Sequence, residues 1–132
     1  MTPSQVADIA RALDADPRIA YGLVFGSTAR GQARTGSDLD VAIGLASGVE
    51  FDALAVGRLI SDLEHAAGRT VDLVLLHEAP PALSYRVFRD GEVVFVRDRS
   101  ALVERRVRAV LDYLDYRPFE GAFVRGVLQA RG

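Results

Sequence analysis

Lysine and cysteine are both absent from this 132-residue chain; every one of its 16 basic side chains is an arginine. Without lysine there is no Schiff base, no amine nucleophile and no P-loop lysine, so several reaction classes drop out. Without cysteine there is no disulfide framework, no thiolate chemistry and no cysteine-ligated zinc, and the redox compartment cannot be read from thiols. No apolar run approaches the roughly 20 residues of a membrane span. The opening Met1-Thr2-Pro3-Ser4-Gln5-Val6 has no basic region leading into an apolar core, so a cytoplasmic protein without membrane contact is expected. A formal net charge of -2 argues against broad nucleic-acid binding, which is normally carried by an excess of basic side chains. No direct sequence-specific nucleic-acid contact is expected, although a compact phosphate-bearing ligand remains compatible with that charge.

A hydrophobic content of 49% in a chain of this length is enough for one core and not for two, so residues 1–132 are read as a single domain. Thr2 and Pro3 supply a cap and first turn for a helix carrying Val6, Ile9, Ala10 and Leu13, stopped at Asp14-Ala15-Asp16-Pro17. Ile19 to Phe25 reads as a buried strand that delivers Gly26-Ser27, with a short helix over Thr28 to Gln32 after it. A polar connection leads to a strand from Leu39 to Ile43, and Phe51, Leu54, Leu59, Ile60 and Leu63 mark an amphipathic helix ended by Gly68. Strands over Thr70 to Leu76 and Glu92 to Val96 flank a short helix over Ala82 to Arg89. Asp98 or Ser100 caps a last helix with Leu102, Val103, Val107, Val110, Leu111 and Leu114 on its apolar face, and a short tail follows Pro118. The alternation of elements predicts an α/β (α+β) fold: a small mixed sheet of about four strands with helices mainly on one face, and a C-terminal helix and tail over about 100–132.

The chemistry concentrates in Gly26-Ser27-Thr28-Ala29-Arg30-Gly31 and Ser37-Asp38-Leu39-Asp40-Val41. A glycine-serine turn brings backbone N–H groups close to a phosphate. Asp38 and Asp40, two residues apart on a strand, lie roughly 6.6 Å apart on one face, where both carboxylates can converge on a hard cation such as Mg²⁺. Asp72, alone within Val71-Asp72-Leu73-Val74, adds a third acid to that face if its strand neighbours the first. It could hold metal or take a proton from an attacking hydroxyl. Each of these signals alone has an ordinary structural reading, as a turn residue or an edge-strand acid; their joint occurrence points to metal-assisted nucleotidyl transfer. His65 and His77 lack a partnered nucleophile and read as plain helix and strand-end residues. Arg97, Arg99, Arg105, Arg106 and Arg108 form either a solvated face or a docking surface for an acidic partner, and Tyr113, Tyr116 and Phe119 either an exposed patch or packing residues.

Gly26-Ser27 followed by Asp38-x-Asp40 and a later strand acid closely resembles the DNA polymerase β-type nucleotidyltransferase superfamily. Gly-Ser-Thr-Ala-Arg-Gly with Ser-Asp-Leu-Asp is similar to its minimal nucleotidyltransferase (MNT) group, and the compact length and Tyr113-Leu114-Asp115-Tyr116-Arg117-Pro118 resemble the MNT antitoxins of HEPN/MNT, or type VII, toxin–antitoxin pairs. The resemblance implies a Mg²⁺-dependent protein adenylyltransferase that moves AMP from ATP to a tyrosine of a partner HEPN ribonuclease and so neutralises it. It implies that Gly26 and Ser27 bind the triphosphate, that Arg30 contacts phosphate or fixes the turn, and that Asp38, Asp40 and Asp72 form the metal-holding catalytic triad. Two alternatives stay open: a catalytically silent antitoxin that acts by binding its toxin, and a transferase whose acceptor is a small molecule or RNA.

Overall fold

The computed structural model describes residues 1–26 and 38–129, with side chains up to residue 115. Helix α1 (Pro3–Asp14) opens on a reciprocal cap: Thr2 Oγ1 accepts from the Gln5 backbone N–H at 3.1 Å and Gln5 Oε1 accepts from the Thr2 N–H at 2.9 Å. Strand β1 (Ile19–Phe25) is buried along its whole length and ends at Gly26. Strand β2 (Leu39–Leu45) runs two residues longer than its sequence pattern suggested. Helix α2 (Ala53–Ala67) is capped by Asp52, which accepts from the Ala55 N–H at 2.8 Å, and stops at a left-handed Gly68. Strand β3 (Val71–Leu75) passes through one 3₁₀ turn, Leu76–Glu78, into α3 (Pro81–Asp90). Strand β4 (Glu92–Val96) then leads to α4 (Arg99–Gln129), where Asp98 Oδ1 accepts from the Ala101 N–H at 3.1 Å.

The sheet order is β3-β2-β1-β4, with β1 antiparallel to both of its neighbours and β2 parallel to β3. Leu39, Val41 and Ile43 of β2 are fully buried against α1 and α2, in a core with Ile9, Leu13, Leu59 and Leu63. The period of two puts Asp40 and Ala42 on the other face, where Leu23, Phe25, Leu76 and Val87 form a second, smaller cluster joined by Ala101 and Leu102 of α4. The mixed four-strand sheet agrees with the sequence reading. The helices, expected mainly on one face, are divided, with α1 and α2 on one side and α3 and the start of α4 on the other.

Two expectations for the last helix are corrected. Val103, Val107, Val110, Leu111 and Leu114 do not pack on the core; they are 37% to 52% exposed, while Leu102 of the expected face does join the second cluster and Ala109, outside that face, is buried. A stripe spaced three and four residues apart looks the same in sequence whether its own sheet or something else covers it. The helix also continues through Pro118 to Gln129 where a tail was expected, since proline forfeits one backbone hydrogen bond and does not oblige a helix to end. Among the described residues no helix is long and apolar enough to cross a membrane.

Candidate active site

Asp40 and Asp72 face each other directly across the parallel β2–β3 pair, so their Cα atoms are about 4.8 Å apart and their side chains leave the sheet on the same face. Asp38 lies two residues before Asp40, at the mouth of β2, and shares that face. The three predicted acids therefore come together at one end of the sheet. β3 is held in this register from outside: the Leu39 N–H donates to the Thr70 carbonyl at 2.8 Å, and the Val71 N–H donates to Glu64 Oε2 of α2 at 2.9 Å.

Asp40 is half-buried, whereas Asp38 and Asp72 are exposed. Burial, and after it the charges of Asp72 and Asp38, push the Asp40 carboxyl above the ordinary carboxylate range; Arg86 and Arg69 pull it back part of the way. Mutual repulsion among three acids is the electrostatic signature of a site that gains from a cation. The donors are all hard carboxylate oxygens, the type Mg²⁺ takes alongside waters and phosphates. Among the described residues no three acid or imidazole groups converge tightly enough to hold an ion by themselves. Asp38 has a partner outside the acids: its Oδ1 accepts from the Thr70 hydroxyl.

The predicted turn begins where expected. Gly26 closes β1 with φ at 77°, in the left-handed region that glycine tolerates. It is also pressed against the site: a Cβ built there would collide with Asp40 Oδ2 and stand 3.2 Å from Asp40 Cγ. The backbone at the turn and the Asp40 carboxylate thus compete for one volume, and only a residue without a side chain leaves room for both. Ser27 and Arg30, together with the short helix expected over 28–32, lie outside the described residues.

Thr70 and Arg86 were missed by sequence reasoning. For Thr70 a signal existed, because it precedes Asp72 by two residues as Asp38 precedes Asp40, and parallel register pairs the two positions. For Arg86 there was none, since an exposed arginine on a short helix looks like any other. His65 is exposed on α2, and exposed His77 sits in the 3₁₀ turn, 3.5 Å from Glu78. Arg97, read as part of a basic group, instead ties β4 to the rest: Nε donates to the Ile19 carbonyl at 3.0 Å and Nη2 to the Asp14 carbonyl at 2.8 Å. Tyr113 is a packing residue, stacked on Tyr85 with ring centroids 4.1 Å apart; the Tyr116 and Phe119 side chains lie outside the described residues.

The family profile described as "Polymerase beta, Nucleotidyltransferase" matches residues 7–100. Among solved structures, a toxin–antitoxin with AMP-PNP is 23% identical with a TM-score of 0.75, over 97% of this chain and 99% of that one. A tri-AMPylated Shewanella oneidensis HEPN toxin in complex with MNT antitoxin gives 23% identity and a TM-score of 0.72, over 94% and 96% of the two chains. A structure assigned as a minimal nucleotidyltransferase is 34% identical with a TM-score of 0.55, over 65% of this chain and 88% of that one. A comparison with curated proteins finds no match. At their identities the first two likenesses establish a shared fold.

Proposed function

Because the chain belongs to the polymerase beta nucleotidyltransferase family, we propose that it transfers AMP from ATP to a tyrosine hydroxyl of a HEPN ribonuclease toxin and silences it. The observation that carries this reading is the pairing of Asp40 with Asp72 beside a turn glycine that admits no side chain. Nucleotidyl transfer needs phosphates held in line and their charge neutralised, and it needs no nucleophilic side chain from the enzyme. A chain without cysteine or lysine fits that requirement.

In this reading the backbone at Gly26 and the side chains of Ser27 and Arg30 hold the triphosphate. Asp38, Asp40 and Asp72 would hold Mg²⁺, which when bound neutralises the phosphates and the departing pyrophosphate. Thr70 orients Asp38. Residues 1–132 act as one domain, in the cytoplasm where ATP is at hand. Support for the partner comes from the likeness in fold to chains solved with a HEPN toxin and with an ATP analogue. The test is to incubate the protein with α-labelled ATP, Mg²⁺ and the toxin encoded beside it. Label on the toxin is expected; an unlabelled toxin that is nonetheless neutralised would overturn the enzymatic reading.

The exposed apolar face of α4 favours a second reading, in which the chain neutralises its toxin by association alone. The double variant Asp38→Asn with Asp40→Asn separates the two: loss of neutralisation supports transfer, and full neutralisation supports binding. A small-molecule or RNA acceptor would appear as label outside the protein fraction.

A further inference from the structure

Three acids and an incoming triphosphate concentrate negative charge at one end of the sheet, and in a chain without lysine the side chain with a permanent opposing charge is arginine. The described structure offers a specific one. Helix α3 crosses the acid-bearing face: Val87 is fully buried in the cluster that contains Ala42 and Phe25, and Phe25 is the β1 partner of Asp40. At its end, a Cβ placed on Gly91 would stand 3.3 Å from Phe25 Cβ, so the last turns of α3 lie against the row of the sheet that carries Asp40.

Successive helix residues turn by about 100°. Ser84 and Val87 face the sheet, and Tyr85 faces α4 through its stack on Tyr113. Arg86 therefore falls on the flank opposite Tyr85, away from α4 and one turn after Leu83, which packs with Val74 of β3 in the same cluster. It is exposed and makes no side-chain hydrogen bond or ion pair among the described residues. Its charge, with that of Arg69, is the one felt at Asp40. Among the described residues, Arg69 has a partner of its own, and Arg89, also on α3, is held by Asp90 at 2.9 and 3.0 Å.

We propose that Arg86 grips the β- and γ-phosphates of the bound nucleotide and takes up the charge of the departing pyrophosphate. This rests on the nucleotidyl-transfer reading above. In that step the acceptor oxygen forms a bond to the α-phosphorus, the bond from the α-phosphorus to the bridging oxygen breaks, and its electron pair leaves with pyrophosphate. The hydroxyl proton passes to a carboxylate of the cluster. A guanidinium suits the task because its planar fork donates two parallel hydrogen bonds to phosphate oxygens and keeps its charge throughout.

The experiment measures equilibrium binding of a non-hydrolysable ATP analogue, of pyrophosphate and of AMP, each with Mg²⁺, to the full chain and to its Arg86→Gln and Arg86→Lys variants. Loss of a charge-assisted bond predicts that Arg86→Gln binds the analogue and pyrophosphate about 10- to 100-fold more weakly. AMP affinity and the melting temperature stay at wild-type values, and Arg86→Lys recovers part of the loss. Equal analogue and pyrophosphate binding in wild type and Arg86→Gln, or an equal loss for AMP, overturns the proposal. If the wild-type protein itself binds neither analogue nor pyrophosphate, the transfer reading falls and this assignment falls with it.

Discussion

Replacing Gly26 by alanine tests the link between the turn and the acids, and a second glycine supplies its control. At φ 77° an alanine pays about 1–2 kcal/mol for the left-handed backbone, which lowers the melting temperature of a domain of this size by roughly 4 °C per kcal/mol. The new Cβ would also overlap Asp40 Oδ2, with Asp40 Cγ only 3.2 Å away, so the carboxylate has to rotate off its position. Misplacement of a site group by an ångström costs on the order of 100-fold in rate. Gly48 has nearly the same backbone, φ 75°, but nothing within 4 Å of a built Cβ. Gly48→Ala is therefore expected to lose a similar few degrees of melting temperature while keeping full transfer activity per folded molecule. Thermal unfolding and initial rates of label transfer on the two variants decide it. Equal activities for Gly26→Ala and Gly48→Ala would refute the argument that the turn must stay bare to leave room for Asp40.

Other outcomes follow from the same geometry. Asp40 has its carboxyl pushed up, so its folded-state preference for the neutral form stabilises the protein below the ordinary value of 3.8 and is lost as pH rises through the raised value. In EDTA, Asp40→Asn is accordingly expected to be more resistant to urea than wild type at pH 7, with the gap closing as pH falls below 3.8; a gap that widens toward acid contradicts this. Thr70→Val removes the hydroxyl that donates to Asp38 and is expected to weaken the Mg²⁺ dependence of transfer about 10- to 100-fold with little change in melting temperature. Leu63 is fully buried between α2 and the sheet, and Leu63→Ala is expected to cost about 2–5 kcal/mol in urea unfolding without altering the rate per folded molecule.

Most of the candidate site was legible because it is local. Alternation along Leu39-Asp40-Val41 determines which face the acids take, and the apolar run Ile19–Phe25 between Pro17 and Gly26 bounds β1 without help from the rest of the chain. What pairs with what across the sheet is not local: the direct opposition of Asp40 and Asp72 depends on a parallel register that α2 and Glu64 enforce. The outward face of α4 failed for a related reason. Val103, Val107, Val110 and Leu114 have helical spacing, but of the expected face it is Leu102, with its neighbour Ala101, that packs on the cluster of Tyr21 and Leu23, while Ala109 is buried further along the helix. Arg86 acquires meaning only once α3 is laid across the acids, which no spacing within Pro81–Asp90 announces.

If these acids serve transfer of AMP to a protein, the modified toxin carries the AMP. Intact-mass measurement of the neighbouring HEPN toxin, after incubation with ATP, Mg²⁺ and the full chain, tests it most directly. A mass gain of whole AMP units is expected with the wild-type protein and none with the double variant Asp38→Asn, Asp40→Asn. A toxin that loses its ribonuclease activity with no gain in mass would contradict it.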